Sequence, residues 1–424
     1  MVCIPSTGFG QEDVVGRLQI GKDPALGAYF RKLYADGEHD AVLNLDMLGV
    51  AAMGIRDYKT AEKAFDQAIV RIEGIMVADP NAEKAKRYFE EERIKDFKGE
   101  PYERAMTYYY RGLLYARDGD FQNARAAFLG GGLQAARSTS ESFERSFGAM
   151  NFLAAWASRC DGDDVRAKDL RVAAEKEDPS LVSAPPVSNV ALLFEVGEGP
   201  AKEGSGRYKE LLTFVDRSPS VGQKSVSVTP ANDRDRPVAT VALAPIGDLF
   251  LQATTRGGRP IQGILDGKAQ FKETAGEVSQ AGLATAVVAS SIAATPNLNS
   301  NVAMGAGIAG LIGVAVSLIA AGAEKATKPA ADTRFWSTLP RTILYADLSG
   351  ISASSEMVGL VRDTNGSDRT GTRILVDRPS CTLLWGHQGL AVPDATSLKP
   401  DPSKDRGHSD ADARFRASLL ETFQ

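Results

Sequence analysis

Three histidines and three cysteines in 424 residues leave the chain poor in side chains that hold metals or attack substrates. Cys3, Cys160 and Cys381 are widely spaced and odd in number, which excludes a dense disulfide framework and leaves room for one bridge. His39, His387 and His408 lie in unrelated neighbourhoods, and the motifs HExxH, CxxC and GxSxG are all missing. Each histidine therefore reads as a surface or turn residue, and no catalytic residue, metal ligand set or cofactor site is assigned. The net charge of −5, without a basic cluster, gives no electrostatic reason to expect nucleic acid.

Charge is lacking altogether from Ser279 to Ala323. Two apolar helical segments, 280–295 and 302–323, flank the turn-forming run Pro296-Asn297-Leu298-Asn299-Ser300-Asn301, so an Ala/Gly-rich helical hairpin is expected over 280–323. Its second arm carries Gly305, Gly307, Gly310 and Gly313, which permit close backbone packing. That arm approaches the ~20 residues that span a bilayer, yet it lacks an aromatic belt and a sizeable basic flank. A buried hairpin and a membrane-inserting or oligomerising one both fit. The Gly-rich loop 197–206 is a poor phosphate cradle, because Pro200 removes an N–H and no Lys-Ser/Thr pair precedes a helix. It reads as a mobile connection between strands.

What the chain does contain is helical pairing. In Gly99–Phe128, the residues Tyr108, Gly112, Tyr115, Gly119, Phe121, Ala124 and Phe128 have the spacing of a tetratricopeptide helix–turn–helix unit. Gly112 and Ala124 are small where helix axes approach, the aromatics fill the gap between helices, and Gly119 sits at the turn. Gly99-Glu100-Pro101 reads as a helix start. An earlier unit repeats the pattern at Leu48, Gly49, Tyr58, Ala61, Phe65 and Ala68, with Arg56 in place of the turn glycine. A degraded third has Gly162, Ala167, Ala174 and Pro179, with Arg171 at the aromatic position. Residues 81–98 read as a charged, solvated helix between units.

Composition changes at Pro179–Pro186, which marks a linker. Strand patterns follow at 189–196, 224–229, 238–243, 249–254, 341–348, 371–376 and 381–385, with a hairpin at 260–271 turning on Asp266-Gly267 and a turn at 363–368. The expected fold is α+β: an N-terminal α-helical tetratricopeptide-like array followed by a strand-rich domain carrying the hairpin. The expected divisions are an extended arm over 1–23, a helical domain over 24–180, a strand-rich α+β domain over 187–392 and a polar C-terminal tail over 393–424, with a short helical pattern at 411–422. In such an array the first helix of each pair lines a concave groove. Tyr109, Leu113 and Arg117 of the central unit, and Phe152, Trp156 and Arg159 of the next, are the expected partner-binding residues. The competing reading has Phe152 and Trp156 packing the neighbouring helix pair.

Two segments, GEPYERAMTYYYRGLLYARDGDFQNARAAF and ADTRFWSTLPRTILYADL, together resemble the paired signatures of an uncharacterised group of bacterial tetratricopeptide proteins known mainly as envelope lipoproteins of Gram-negative bacteria. The second match rests on Asp332, Arg334, Trp336, Leu339 and Pro340, and the resemblance spans about residues 40–390. It carries no catalytic assignment. It implies a periplasm-facing protein, anchored at the outer membrane through a lipid on Cys3 and working with another envelope protein, with homo-oligomerisation also open. No signal-peptide pattern or lipobox precedes Cys3, and the plain reading of that residue is a free thiol near a frayed terminus. The function expected is a non-enzymatic envelope scaffold or assembly protein that binds a protein partner through its repeats. The alternative is a membrane-active or pore-associated component that inserts or oligomerises through the Gly-rich hairpin arm 302–323.

Overall fold

The computed structural model describes residues 11–77, 96–97, 99–136, 147–205, 211–218, 224–230, 239–254, 332–350, 357–363, 369–388 and 410–424. The expected hairpin 280–323, the β-hairpin at 260–271, the charged segment 81–95, Cys3 and His408 lie outside these residues.

The N-terminal half is built from antiparallel helix pairs. After α1 (Gln11–Leu18) and α2 (Gly27–Asp36), helix α3 (Ala41–Gly54) packs on α4 (Tyr58–Val77), α5 (Pro101–Arg117) on α6 (Phe121–Ala136), and α7 (Gly148–Cys160) on α8 (Asp164–Glu177). In the first two pairs a glycine meets a phenylalanine. A Cβ on Gly49 would stand 2.5 Å from Phe65, and one on Gly112 would stand 2.6 Å from Phe128. The turns of the three pairs pass through φ > 0 at Arg56 (70°), Gly119 (84°) and Gly162 (83°), so Arg56 adopts the conformation that glycine supplies in the other two. Helix α5 starts where Gly99-Glu100-Pro101 predicts. Glu100 is its N-cap, Pro101 occupies the first turn, and Glu103 completes a capping box.

The second half forms a five-stranded mixed sheet of order β10-β11-β1-β7-β6. Its strands are β1 (Val190–Val196), β6 (Ala244–Asp248), β7 (Thr342–Asp347), β10 (Arg373–Arg378) and β11 (Cys381–His387). Among its described strands only β1 and β11 run parallel. A two-stranded ribbon pairs β2 (Ala201–Ser205) with β3 (Leu211–Val215). A four-stranded antiparallel sheet has the order β5-β4-β8-β9, from β4 (Lys224–Pro230), β5 (Ala239–Ala242), β8 (Met357–Asp363) and β9 (Arg369–Gly371).

The five-stranded sheet is covered on both faces, and period-two alternation sorts its side chains. Ala191, Leu193, Ile343, Tyr345, Leu383 and Trp385 join the core shared with the helices. Leu192, Phe194, Leu344, Ala346 and Leu384 join a second core with Val226, Val228 and Val361 of the smaller sheet. The helical and strand-rich halves thus share one continuous core. The linker contributes Leu181 to it, and Arg171 donates to the Leu181 and Ala184 carbonyls.

Several expected boundaries change. Residues 11–18 of the arm form α1, which buries Val14, Val15 and Leu18. The loop expected at 197–206 contains β2. The run 249–254, expected as a strand, is helix α9 (Leu249–Thr254), with Leu249, Gln252 and Ala253 buried at helical spacing. Phe97, expected on a charged helix, is non-helical and buried, and its N–H donates to the His39 carbonyl at 2.8 Å. The end of the expected polar tail is α10 (Asp410–Phe423), which returns to the N-terminal helices. Phe423 meets Phe30 edge-on at 5.3 Å, and Arg416 donates to the Tyr34 carbonyl. None of the described helices is long and apolar enough to cross a membrane.

Glycine contacts make the helix pairing testable. Replacing Gly112 with Ala forces Phe128 to move and is expected to cost about 1–3 kcal/mol. Gly74 of α4 has open space around its Cβ position, so Gly74→Ala is expected to add about 0.5–1 kcal/mol. Urea denaturation of the two variants checks the contrast.

Candidate functional site: a buried polar seam between helices and sheet

The most concentrated polar chemistry among the described residues lies where α5 crosses the five-stranded sheet. Glu195 of β1 is the one charged residue on that strand, has 0% exposure and faces the helices. Tyr109 and Trp385 donate to its Oε1, each at 2.7 Å, and Tyr110 donates to Oε2 at 2.7 Å. Three donors converging on one carboxylate match its acceptor-only chemistry. Burial, and then the Glu195 charge, push both tyrosine hydroxyls well above their ordinary pKa, so they remain protonated donors. Tyr109 and Tyr110 are adjacent on α5 and meet edge to face at 4.9 Å, while Tyr110 also stacks on Phe65 at 5.6 Å. His387 is buried beside them, with Nε2 3.5 Å from Glu195 Oε2 and 3.2 Å from the Thr338 carbonyl. That overturns its expected surface position. Strand β11 places it two residues beyond Trp385, on the same face.

At the N-terminal end of α5 a second carboxylate is held as fully. Glu103 accepts from the Trp336 N–H at 2.8 Å, the Glu100 N–H at 2.7 Å and Lys202 Nζ at 2.6 Å. Lys202, expected in a mobile loop, is a buried lysine of β2 whose ammonium lies 5.4 Å from the Phe97 ring centroid. Trp336 is buried against Tyr110, with ring centroids 5.8 Å apart. Two residues earlier, Arg334 reaches Asp40 at 2.5 Å and Asp332 at 2.7 Å. Burial alone would lower the Arg334 pKa, but the hydrogen bonds and charges of Asp332 and Asp40 outweigh it and raise it. The two sequence signatures, far apart in the chain, therefore interlock: Trp336 and Arg334 of the second seat on Tyr110 and Glu103 of the first and on the turn before α3.

At the opposite end, β10 supplies arginines to helix C-termini. Arg373 donates to the Gly54 carbonyl at 2.7 Å, and Arg378 to the Arg117 carbonyl at 3.0 Å. Both positions favour a cation, because the last carbonyls of a helix lack partners within it. Burial lowers the Arg373 pKa. A disulfide from Cys160, the last residue of α7, to Cys381, the first of β11, adds a covalent tie with a Cα–Cα distance of 5.2 Å. The room that composition leaves for one bridge is filled by this pair.

The expected groove residues are placed differently from the expectation. Tyr109, Leu113, Phe152 and Trp156 are fully buried. Tyr109 binds Glu195, Phe152 meets Tyr345 of the sheet edge-on at 4.9 Å, and Trp156 meets Phe121 at 6.3 Å. The chain's own sheet covers Tyr109 and Phe152 of the face expected to be an open groove, while Trp156 packs against the neighbouring helix pair, as the competing reading has it. Arg117 and Arg159 do reach solvent. Arg117 lies over the Tyr58 ring and pairs with Asp118, and Arg159 pairs with Asp164.

Sequence patterning gives no sign that Glu195, Glu103, Lys202 and His387 are buried together. Glu195 alone carried a usable signal, as a lone carboxylate in the apolar run VALLFEV. Among the described residues, no cluster of three or more His, Cys, Asp or Glu could hold a metal ion. Comparison of the chain with protein-family models, curated proteins and solved structures gives no match.

Asp46 of α3 offers a pH test of the seam. It is buried and accepts from Thr107 of α5 at 3.1 Å. Burial pushes its carboxyl well above the ordinary range, reinforced by nearby Glu103 and only partly opposed by Thr107. The folded state then holds this proton where the unfolded chain has lost it, so stability falls as pH rises from the ordinary aspartate pKa toward the raised one. Asp46→Asn removes the dependence. Urea midpoints at pH 4.5 and pH 8 are expected to show the variant gaining on the wild type as pH rises.

Proposed function

We propose that this chain is a non-enzymatic cell-envelope scaffold or assembly protein of tetratricopeptide-like build, acting by binding another protein. The observation that carries this reading is the Cys160–Cys381 disulfide. Disulfides persist in oxidising compartments such as the periplasm and are rare where glutathione keeps thiols reduced. The tetratricopeptide-like build is supported by the recurrence of Gly49 against Phe65 and Gly112 against Phe128, and by the positive-φ turns at Arg56, Gly119 and Gly162. The resemblance of Gly99–Phe128 and 331–348 to envelope lipoproteins points to the same compartment, with Cys3 as the lipidated residue.

With the inner face of the helices covered by the sheet, partner contact belongs to surfaces that remain in solvent, where Arg117 and Arg159 are the members of the expected set still available. Both sit in exposed or half-exposed ion pairs, which contribute little to stability, so neutralising them with glutamine is tolerable to the fold.

Fractionation of the source cells tests the compartment. The reading expects the protein in the outer-membrane fraction, with a diacylglyceryl-modified Cys3 peptide by mass spectrometry, and an Arg117→Gln/Arg159→Gln variant that keeps its melting temperature but loses a cross-linked envelope partner. Recovery from the cytoplasm with an unmodified Met1 would contradict it.

A further inference from the structure

The Cys160–Cys381 bridge stands at an unusual place in the chain. Cys160 ends α7 and Cys381 opens β11, with 221 residues between them, and both are 2% exposed. Cys381 also opens the strand that carries Trp385 to Glu195 and His387 to the Thr338 carbonyl. Strand β11 lies between β10 and β1, so fixing its first residue under the end of α7 fixes the parallel register that puts Trp385 opposite Leu193. A shift of one residue would turn Trp385 away from the helices. Among the described residues, Arg373 and Arg378 also tie this edge to the helices, through hydrogen bonds to the Gly54 and Arg117 carbonyls. Each of those has a modest net worth. A covalent link across a loop this long removes far more freedom from the open chain.

We propose that Cys160–Cys381 is a redox latch that makes closure of the β10–β11 edge onto the helices conditional on oxidation. The chemistry is thiol–disulfide exchange with an oxidised dithiol oxidoreductase or oxidised glutathione. The Cys160 thiolate attacks the donor disulfide and expels one thiolate. The Cys381 thiolate then attacks the mixed disulfide and expels the second. Both cysteines are oxidised, and the donor is reduced to two thiols. Exchange needs access to sulfur, which the closed molecule denies, so the latch closes from the open form and is sheltered once closed. This inference shares the bridge with the compartment reading but does not depend on partner binding, and a bridge that forms without affecting closure overturns this inference alone.

The test uses the purified full chain. Alkylation without reductant, followed by peptide mapping, is expected to recover Cys160 linked to Cys381. Dithiothreitol is expected to leave that link intact in native buffer and to break it in urea. The chain refolded with its thiols reduced should melt about 5–10 °C lower and show weakened near-ultraviolet tryptophan dichroism, with its helical far-ultraviolet signal largely retained. Oxidised glutathione should restore both, and Cys160→Ser/Cys381→Ser should match the reduced chain. The inference is overturned if the native protein is alkylated at both cysteines without reduction. It is equally overturned if the reduced chain and the double variant keep the tryptophan dichroism of the oxidised chain, whatever their melting temperature.

Discussion

A carboxylate with no access to water has to be satisfied by the protein, and Glu195 imposes that demand at the centre of this molecule. Its three donors come from two elements, Tyr109 and Tyr110 of α5 and Trp385 of β11, so it can be satisfied only when helix and sheet are joined in one relative position. Hydrophobic burial drives the layers together without choosing among nearby registers. A buried acceptor with directional donors penalises every arrangement that leaves it unpaired. Glu103 repeats the device at one end of α5 with Lys202 and the Trp336 N–H, and Arg373 and Arg378 fix the other end through helix carbonyls. The helical layer is pinned at both ends and in the middle.

This seam gives a different meaning to the residues that resemble a protein-binding array. Repeat helices offer a groove when their inner face is left uncovered. Here Leu113, Phe152 and Trp156 are buried and Tyr109 is tied to Glu195, so the groove has become the floor of a larger core. The two signature segments are in contact with each other: Trp336 closes over Tyr110 and Glu103. Signatures of this kind specify an architecture before they specify a ligand.

The legible part of the sequence was the part governed by local rules. Helix pairs, the N-cap before Pro101 and most strands followed from spacing, capping and alternation, because those signals act within a few residues. The strand misread at 249–254 is a short apolar run, for which period alone does not separate helix from strand. The burial of Lys202 and His387 was illegible for another reason: their partners, Glu103 and Thr338, lie far away in sequence. The same holds for the covering of Tyr109 and Phe152, since only the tertiary arrangement shows which face of a helix meets solvent and which meets a sheet. The docking of α10 on Phe30 and Tyr34 joins the two ends of the chain and carries no local mark beyond the helical pattern itself.

The central claim is that Glu195 couples the helices and the sheet into one folding unit. Trp156, Trp336 and Trp385 all lie in the shared core, so tryptophan fluorescence reports on that core while far-ultraviolet dichroism reports chiefly on the helices. Urea unfolding of the wild type and of Glu195→Ala, followed by both signals, is the most direct test. The account predicts coincident transitions in the wild type and a loss of about 3–5 kcal/mol in the variant, because three buried donors are left without their acceptor. Separate transitions for the two signals in the wild type, or a loss below about 1 kcal/mol in the variant, would contradict it.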